Sequence, residues 1–347
     1  MRTLLLTAMI VSVCGPALLA EQPADGASNR EQREDRPRRR AARPFNRPER
    51  TRPMTLPDAG DRFYEDYAGN ANPRQRVAVV LPEEHDPDDG PLPVVAFVHG
   101  GAWRAGDYES ALRQAAPLLR GGDYAVASIG YRLTDEAIWP AQLHDVKAGL
   151  RHLRANADRF GIDPDRIAIV GPSAGGHLVA MLGTTMDDPD QAGNLGGHAD
   201  ASTAVTCVID LYGPANLATM REQDSRLDHA SADSPEGRLV GGAIADQVDT
   251  VRSASPETFV GGGDDAPFLI IHGSADPVVP YAQSVNFHAA LKAAGTDSTL
   301  VTVEGGGHGG FANPEVNRIM RQFLDHHLLG RDLPEGFGDR TIPQAEE

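Results

Sequence analysis

The chain has 347 residues, which is enough for one large α/β domain or two small ones. Its composition, with 40% hydrophobic and 23% charged residues, is typical of a globular protein. The formal net charge of -17 argues against nucleic acid and against an anionic membrane surface as partners, because both would repel an acidic protein.

Residues 1–20 have the pattern of a secretory signal peptide that is removed by cleavage. Arg2 provides a positive start, and residues 4–11 form a short apolar run before several small residues. The run is too short for a transmembrane helix, so we expect no stable membrane insertion after the signal is removed. Val13 is bulkier than lipoprotein processing normally accepts, which argues against a lipid anchor at Cys14. These features predict a secreted or periplasmic protein.

Residues 21–56 are predicted to form a disordered, basic linker. The segment contains ten arginines, repeated prolines and few aliphatic side chains, so it cannot bury enough apolar surface to fold. One interpretation is a basic arm that contacts an anionic glycan or the cell wall. The simpler interpretation, which we favour, is a solvated spacer between the signal and the folded domain.

The predicted folded domain covers residues 57–330 and alternates buried strands with helices. Strands are predicted at 76–82, 94–98, 124–129, 204–209, 268–273 and 299–303, a strand, turn and helix at 167–182, and helices at 112–119, 283–293, 314–329 and from Pro140 through Phe160. This alternation predicts a doubly wound, mostly parallel sheet with helices on both faces. Residues 214–264 offer the only room for a small lid insertion. Residues 331–347 are predicted to be a loose C-terminal tail.

A G-x-S-x-G pattern at residues 171–175 lies between a predicted strand and a predicted helix. Gly171 and Gly175 lack side chains where the strand and the helix crowd together, so Ser173 is expected in a strained, exposed position at the apex of the turn. The pattern alone is weak, because glycine and serine are common in this chain. Its position between strand and helix makes Ser173 the candidate nucleophile.

A serine hydroxyl needs a base to take its proton, and the base needs a carboxylate to orient it. Downstream of Ser173, Asp276 follows one predicted strand and His308 follows the next, in a glycine-rich loop. The chain order of serine, aspartate and histidine is one that serine hydrolases use. Asp210 is the nearest competing carboxylate, and Glu304 is another. Alternatively, Asp276 is a turn former and His308 a plain loop histidine.

The reaction also requires hydrogen-bond donors for the oxyanion that develops at the substrate carbonyl. The loop after the 94–98 strand supplies exposed backbone N–H groups, of which Gly101 and Ala102 are predicted to act together with Ala174. Trp103, the next residue, is a candidate for lining the substrate pocket.

Several other side chains that attract attention in the sequence are predicted to be structural. His99 is expected to hydrogen-bond its own loop, and His177 to brace the turn that carries the nucleophile. Trp139 is interpreted as a packing residue. Cys207 would be the only cysteine left after signal removal, which excludes a disulfide within the chain, and it lies in an apolar run as a core residue.

Four segments together resemble the α/β-hydrolase esterases, namely HGGAW at 99–103, GPSAGGH at 171–177, HGSAD at 272–276 and GGGH at 305–308. The resemblance is closest to the bacterial secreted branch that includes acetylxylan and feruloyl esterases, with hormone-sensitive-lipase-like carboxylesterases as near neighbours. It covers roughly residues 63–330. It implies an α/β-hydrolase fold and a small-molecule or glycan ester as substrate, with no metal and no organic cofactor.

The sequence also departs from the lipase-like pattern. Ala102 stands where that group has a third glycine, and its methyl group narrows the expected oxyanion hole. Too few residues precede the first predicted strand to build an N-terminal helical cap. The insertion at 214–264 is polar and acidic, whereas a lipase at a lipid interface would expose aliphatic side chains there. We therefore expect soluble, carbohydrate-linked or small esters as substrates.

The sequence thus predicts a secreted serine esterase whose activity falls below about pH 6.5, the ordinary pKa of a histidine base. Two alternatives remain open. The same triad serves peptidases and formamidases, which a panel of amides would reveal. A non-catalytic binding protein on a hydrolase scaffold is the other, and covalent labelling of Ser173 by a fluorophosphonate would exclude it.

Overall fold

The computed structural model of the chain describes residues 56, 58–186, 188–263 and 265–344. The predicted signal peptide, and all of the predicted linker except Leu56, lie outside the described residues. The described residues belong to one compact unit, Met54–Glu347. Within them, no helix is both long enough and apolar enough to cross a membrane.

Nine strands of the described residues form one sheet. They are β1 (Ala59–Asp66), β2 (Arg76–Pro82), β3 (Leu92–Val98), β4 (Ala125–Ile129), β5 (Ile162–Pro172), β6 (Cys207–Leu211), β7 (Phe268–Gly273), β8 (Ser298–Glu304) and β9 (Arg340–Pro343). Their order across the sheet is β1-β2-β4-β3-β5-β6-β7-β8-β9. The β1–β2 and β2–β4 pairs are antiparallel, and every other pair is parallel. The prediction of a mostly parallel sheet is confirmed.

Helices cover both faces of this sheet. They are α1 (Tyr108–Ala115), α2 (Ala141–Ala155), α3 (Ala157–Phe160), α4 (Ala174–Thr184), α5 (Pro235–Val240), α6 (Val248–Ser253), α7 (Ala282–Ala294) and α8 (Pro314–Leu329). The apolar side chains of α2, α4 and α7 join one core cluster, and those of α1 and α8 join the other. The central strands are buried on both sides because alternate residues point to opposite faces: Val95 and Phe97 face the second cluster, and Val94 and Ala96 face the first.

The helix predicted from Pro140 through Phe160 is divided in two. The backbone leaves the helical region at Asn156, with φ -113° and ψ 20°, and its side-chain amide donates to the carbonyl of His152. Asparagine favours such local hydrogen bonds over helix continuation. The helix predicted at 112–119 is also displaced: α1 ends at Ala115, and Ala116–Leu119 form a 3-10 turn. The other predicted strands and helices are confirmed with shifts at their ends.

The prediction of a loose tail at 331–347 is wrong for residues 340–343. β9 pairs in parallel with β8, and Ile342 is buried in the core cluster that α8 also joins. The first strand, β1, was also absent from the predicted elements. Both are short or charged edge strands, so they carry little of the apolar pattern by which buried strands are recognised.

The segment predicted as an insertion, 214–264, lies between β6 and β7. It contains the short helices α5 and α6 together with several 3-10 turns. Its backbone contacts the loop after β7, where the N–H of Arg226 donates to the carbonyl of Pro277. The insertion is therefore attached to the loop that carries the predicted catalytic aspartate.

Candidate active site

Ser173 lies at the turn between β5 and α4 in a strained backbone conformation, with φ 55° and ψ -122°. Steric crowding explains the two glycines around it. A Cβ on Gly171 would lie 2.5 Å from the carbonyl oxygen of Gly175, and a Cβ on Gly175 would lie 2.2 Å from that of Val98. These contacts leave room only for glycine, so the chain turns sharply and presents the serine side chain above the sheet.

Three residues that are far apart in the sequence meet at the carboxyl ends of β5, β7 and β8. The Oγ atom of Ser173 lies 2.9 Å from Nε2 of His308, and Nδ1 of His308 lies 2.7 Å from Oδ2 of Asp276. The ring of His308 therefore donates to the carboxylate through Nδ1 and accepts from the serine hydroxyl through Nε2. The three predicted residues form one continuous hydrogen-bonded chain.

Asp276 is buried and receives hydrogen bonds on both carboxylate oxygens. Its Oδ1 accepts the N–H groups of Val278 and Val279 at 2.7 Å and 3.1 Å, and its Oδ2 accepts from His308 and His272. Burial acts to raise the pKa of this carboxyl, but the hydrogen bonds outweigh it and hold the pKa well below its ordinary value. Asp276 is therefore ionised, as an orienting carboxylate must be.

Asp210, the competing carboxylate, lies in a different environment. It is buried at the end of β6, where its Oδ1 accepts the N–H of Gly213. Burial raises its pKa to about 7, which the single hydrogen bond only partly offsets. No hydrogen bond joins Asp210 to His308 among the described residues, and Glu304 is exposed at the end of β8. Geometry and ionisation both favour Asp276.

The loop after β3 turns tightly beside the serine. Gly101, Ala102 and Trp103 all have positive φ, at 115°, 54° and 54°. A Cβ on Gly101 would lie 2.2 Å from the carbonyl oxygen of Ala105, so this position requires glycine. Within the described residues, the N–H groups of Gly101 and Ala102 have no hydrogen-bond acceptor. They are available to an oxyanion, together with the N–H of Ala174 at the start of α4.

A cavity of about 440 Å³ lies over the serine. It is lined by His99, Gly100, Gly101, Ala102, Ser110, Gln114, Pro172, Ser173, Tyr212, Val278 and His308. The nucleophile, the base and two predicted oxyanion donors thus share one space. None of the lining residues comes from the 214–264 insertion, so that segment does not form a lid over this cavity in the structure.

The structure corrects the prediction for Trp103. Its side chain is buried in the core and does not line the cavity. The positive φ of the loop turns the ring away from the serine and onto His177, whose ring it meets edge-on at 5.1 Å. Trp103 is therefore a packing residue, as was predicted for Trp139, whose indole N–H donates to Ser253.

The two histidines predicted to be structural have structural contacts. His99 stacks on Tyr131 at 4.1 Å and its Nδ1 lies 2.8 Å from the carbonyl of Gly100. Nε2 of His177 lies 2.7 Å from the carbonyl of Ala254, which ties α4 to the insertion. Burial lowers the pKa of each to about 4, so both rings are neutral near pH 7.

Tyr212 was missed in the sequence. It follows β6 with φ 48°, and its ring meets His308 edge-on at 4.8 Å while lining the cavity. Burial raises its pKa to about 12, so the phenol remains a neutral hydrogen-bond donor. Its position directly after a strand, at the same edge of the sheet as the three triad residues, is the signal that could have identified it.

A second serine–histidine–carboxylate cluster lies in the insertion. The Oγ atom of Ser225 is 2.8 Å from Nε2 of His229, whose Nδ1 is 3.1 Å from a carboxylate oxygen of Glu236. Ser225 Oγ also lies 3.3 Å and 3.2 Å from the carbonyl oxygens of Pro277 and Val278. These oxygens would repel an alkoxide, so the cluster attaches the insertion to the loop of Asp276 and is not a second nucleophilic site.

The sheet order, the sharp turn at Ser173 and the chain order of the triad define an α/β-hydrolase. The chain belongs to the BD-FAE family, whose profile matches residues 79–291. The predictions of the fold and of the family resemblance are confirmed.

Curated relatives include esterase LipC of Mycobacterium tuberculosis, which is 35% identical over 221 residues, 63% of this chain and 53% of that protein. The chain spans about half the length of the curated relatives it matches. Among solved structures, a truncated carbohydrate esterase from gut microbiota is 34% identical with a TM-score of 0.71, covering 78% of this chain and 98% of that one. A bifunctional GH43-CE protein of Bacteroides eggerthii is 33% identical with a TM-score of 0.70, and the match covers 77% of this chain and 35% of that one.

Proposed function

We propose that this protein is a serine carboxylic-ester hydrolase that acts through an acyl-enzyme. The observation that carries the proposal is the continuous hydrogen-bonded chain from Ser173 through His308 to Asp276, open to a cavity with free N–H donors. The esterase names of the relatives support the same reaction class.

In the first half of the reaction, Ser173 Oγ attacks the ester carbonyl carbon while Nε2 of His308 takes its proton. The carbonyl oxygen becomes an oxyanion, which the N–H groups of Gly101, Ala102 and Ala174 stabilise. The tetrahedral intermediate then collapses. The bond to the alcohol oxygen breaks, His308 gives its proton to that oxygen, and the alcohol leaves the acyl group on Ser173.

In the second half, His308 takes a proton from water, and the resulting hydroxide attacks the acyl carbon. The same N–H donors stabilise the second oxyanion. Collapse breaks the bond to Ser173 Oγ, which regains its proton from His308 as the carboxylic acid is released. Asp276 remains ionised throughout and stabilises the imidazolium that forms twice in each cycle.

The substrates proposed are acetyl or feruloyl esters of carbohydrate, or other small soluble esters. The cavity volume of about 440 Å³ is within the range of small-molecule sites, which supports a small ester as substrate. Ser110, Gln114 and Tyr212 place polar groups among the lining residues, which suits an alcohol with several hydroxyls. The carbohydrate esterase among the similar structures supports a sugar ester.

We also propose that the enzyme is secreted or periplasmic, through removal of residues 1–20 as a signal peptide. The support is the sequence pattern of that segment. Expression of the full chain in a bacterium, followed by N-terminal sequencing of the product outside the cytoplasm, tests this proposal. An uncleaved chain that remains in the cytoplasm would contradict it.

The function is tested with initial rates for the chain without residues 1–20 on p-nitrophenyl acetate, p-nitrophenyl octanoate, methyl ferulate and acetylated xylan. Ser173→Ala is expected to lower kcat by at least about a thousandfold, because the nucleophile is lost. Ser225→Ala is the matched control. It removes the serine of the second cluster and is expected to retain most of the activity.

Each outcome selects a function. A ranking led by acetylated xylan or methyl ferulate identifies the sugar or feruloyl ester, and a ranking led by the octanoate identifies a general carboxylesterase. Failure of correctly folded protein to turn over any ester contradicts the proposal, and peptides and formamides are assayed next. A fluorophosphonate that labels neither variant nor parent identifies a non-catalytic scaffold.

A further inference from the structure

We infer that His272 is a positioning residue for the catalytic carboxylate and, with Ser284, extends the triad into a hydrogen-bonded relay of five side chains. The inference deepens the proposed function and rests on it. His272 occupies β7, four residues before Asp276, and its side chain is fully buried. It does not line the cavity, so it acts on the substrate only through Asp276.

The contacts of His272 define its tautomer. Nε2 lies 3.1 Å from Oδ2 of Asp276 and 3.1 Å from the carbonyl oxygen of Val279, and both of these atoms are acceptors. Nε2 therefore carries the proton. Nδ1 lies 2.7 Å from the hydroxyl oxygen of Ser284, in the first turn of α7, and accepts a hydrogen bond from that hydroxyl. The neutral Nε2–H form satisfies every one of these contacts.

This arrangement completes the environment of the carboxylate. Oδ1 of Asp276 is held by the N–H groups of Val278 and Val279, and Oδ2 is shared between His272 and His308. With donors on both oxygens, the carboxyl group cannot rotate, and Oδ2 stays directed at His308. Removal of His272 would leave His308 as the one remaining donor to Oδ2 among these contacts. It would also leave an empty space beside the carboxylate, so that the direction of Oδ2 is less precisely fixed.

Few other titratable groups pack against this relay in the described residues. The ring of Tyr281, which precedes α7, meets His272 edge-on at 5.6 Å, and its hydroxyl is paired with Thr302. Tyr212 lies 6.3 Å from His272 and 4.8 Å from His308. Asp224 and Arg226 of the insertion line a pocket that Asp276 and Tyr281 also line. These groups are the same in every variant compared, so a change in the pH profile on substitution of His272 reports on Asp276 and His308.

The consequence is a division of negative charge. The hydrogen bond from His272 draws part of the charge of Oδ2 away from His308, which moderates the basicity of the imidazole. Without that bond, and with Oδ1 still held by the N–H groups of Val278 and Val279, the full charge of Oδ2 acts on His308 and stabilises the imidazolium more strongly. His308 then stays protonated to higher pH, and the acid limb of the kcat/KM profile moves upward.

The test compares His272→Gln with His272→Met. The two side chains have the same length and similar volume, but only glutamine offers an N–H donor in the direction of Asp276. We expect H272M to move the acid limb up by about half a pH unit or more and to lower kcat about tenfold, with KM little changed. H272Q is expected to restore most of the wild-type profile. Thermal melting establishes that both variants are folded.

Ser284→Ala is a second variant, in case both substitutions at His272 prevent folding. It leaves the ring in place but removes the donor to Nδ1, so the proton is free to move to Nδ1 and the bond to Asp276 is weakened. We expect a shift in the same direction and of smaller size. A folded H272M or S284A with a wild-type acid limb overturns the inference, as does an H272Q that behaves like H272M.

A substrate-independent readout separates this inference from the proposed function. The rate at which a fluorophosphonate labels Ser173 is measured against pH in the parent and in each variant, together with the downfield NMR resonance of the proton between His308 and Asp276. If the parent is labelled but hydrolyses no ester, the proposed substrate class fails and the labelling profiles still test His272. If the profiles and the resonance are the same in H272M and the parent, the role of His272 fails by itself.

Discussion

Two aspartates at the ends of neighbouring strands show how strongly the residue environment decides function. Both carboxyls are buried: Asp210 lies at the end of β6, and Asp276 lies in the loop after β7. Asp276 accepts four hydrogen bonds, which hold its pKa low, while Asp210 accepts one and burial raises its pKa to about 7. Asp210 is the more deeply buried of the two and has the fewer donors, and both differences separate an ionised orienting group from a carboxyl that titrates near neutrality.

A substitution at each aspartate tests this contrast. Asp276→Asn is expected to lower kcat by about 10²–10⁴-fold, because an amide favours the wrong tautomer of His308. Asp210→Asn keeps an acceptor for Gly213 and is expected to retain activity. The measurement is kcat on p-nitrophenyl acetate for both variants. Loss of activity in D210N with full activity in D276N would reassign the acid.

Asp210 also predicts a pH dependence of stability. Its folded pKa of about 7 lies above the value of 3.8 for a free carboxyl, so the folded state holds the proton more tightly than the unfolded state. Its contribution to stability is therefore largest below pH 4, declines as the pH rises to 7, and stays at its minimum above that. The asparagine of D210N does not titrate. The free energy of unfolding of D210N minus that of wild type is therefore expected to increase by a few kcal/mol from pH 4.5 to pH 8, as urea unfolding would show. An unchanged difference would contradict the assigned pKa.

At the scale of elements, the ends of three strands position the triad, and one insertion contacts the loop that carries Asp276. β5, β7 and β8 each deliver one triad residue to the same edge of the sheet, as expected for parallel strands. The insertion between β6 and β7 is hydrogen-bonded to the loop of Asp276 through the hydroxyl of Ser225 and the backbone N–H of Arg226. The buried pair of His229 and Glu236 lies behind that contact.

This pair has a predictable pH dependence. Burial acts to lower the pKa of His229, but Glu236 and the Val278 carbonyl outweigh it and raise the pKa above 6.5. Stability from the protonated pair is therefore complete below pH 6.5 and is lost as the pH rises through the folded pKa. Glu236→Gln is expected to cost about 1–3 kcal/mol at pH 6 and less at pH 9, by urea unfolding.

The control for that prediction is Glu222→Gln, which alters an exposed glutamate of the same insertion that pairs with Arg221. An exposed pair of this kind contributes less than about 1 kcal/mol, so this variant should unfold like wild type at both pH values. Equal losses in E236Q and E222Q, or a loss in E236Q that grows toward pH 9, would show that the pair does not hold the insertion.

On the scale of the whole molecule, the sheet separates two cores, and its far edge is closed by β9. That strand pairs with β8, which precedes the loop of His308, and its one buried side chain is Ile342. The C-terminal segment therefore contributes to the stability of the strand that leads to the catalytic base.

Ile342→Ala tests that contribution. We expect a loss of about 2 kcal/mol in urea unfolding, at the lower end of the cost of truncating a buried isoleucine, because the strand lies at an edge. Thr341→Ala, which changes the exposed neighbour on the same strand, is the control and should change stability by less than about 0.5 kcal/mol. A stable I342A with wild-type unfolding would mean that the segment is only loosely attached.

Much of the fold and the three triad residues could be predicted because their signals are local. Buried parallel strands appear in the sequence as apolar runs, and helices appear as periodic apolar patterns. The turn at Ser173 is marked by glycines at positions where a side chain would collide with the backbone. Asp276 and His308 were identifiable since each lies in the short loop that follows such a strand. β9 and β1 gave no comparable signal. β9 has one buried apolar residue, and β1 interrupts its few apolar residues with charged ones and has no fully buried position.

Other features depend on contacts between residues that no local pattern links. The sequence could not place Trp103 in the core, because its direction is set by the positive φ of a loop that is packed against α4. Nor could it show that Tyr212 faces His308, or that Ser225 touches the loop of Asp276.

By itself, then, the sequence determined the layered sheet, the sharp turn and the order of the catalytic side chains, since these follow from short-range sterics and from the burial of apolar residues. Only the tertiary structure decided which carboxyl is ionised, how His272 and Ser284 hold it, and which side chains line the cavity. Hydrogen bonding and desolvation depend on neighbours in space, and those neighbours exist only after the chain has folded.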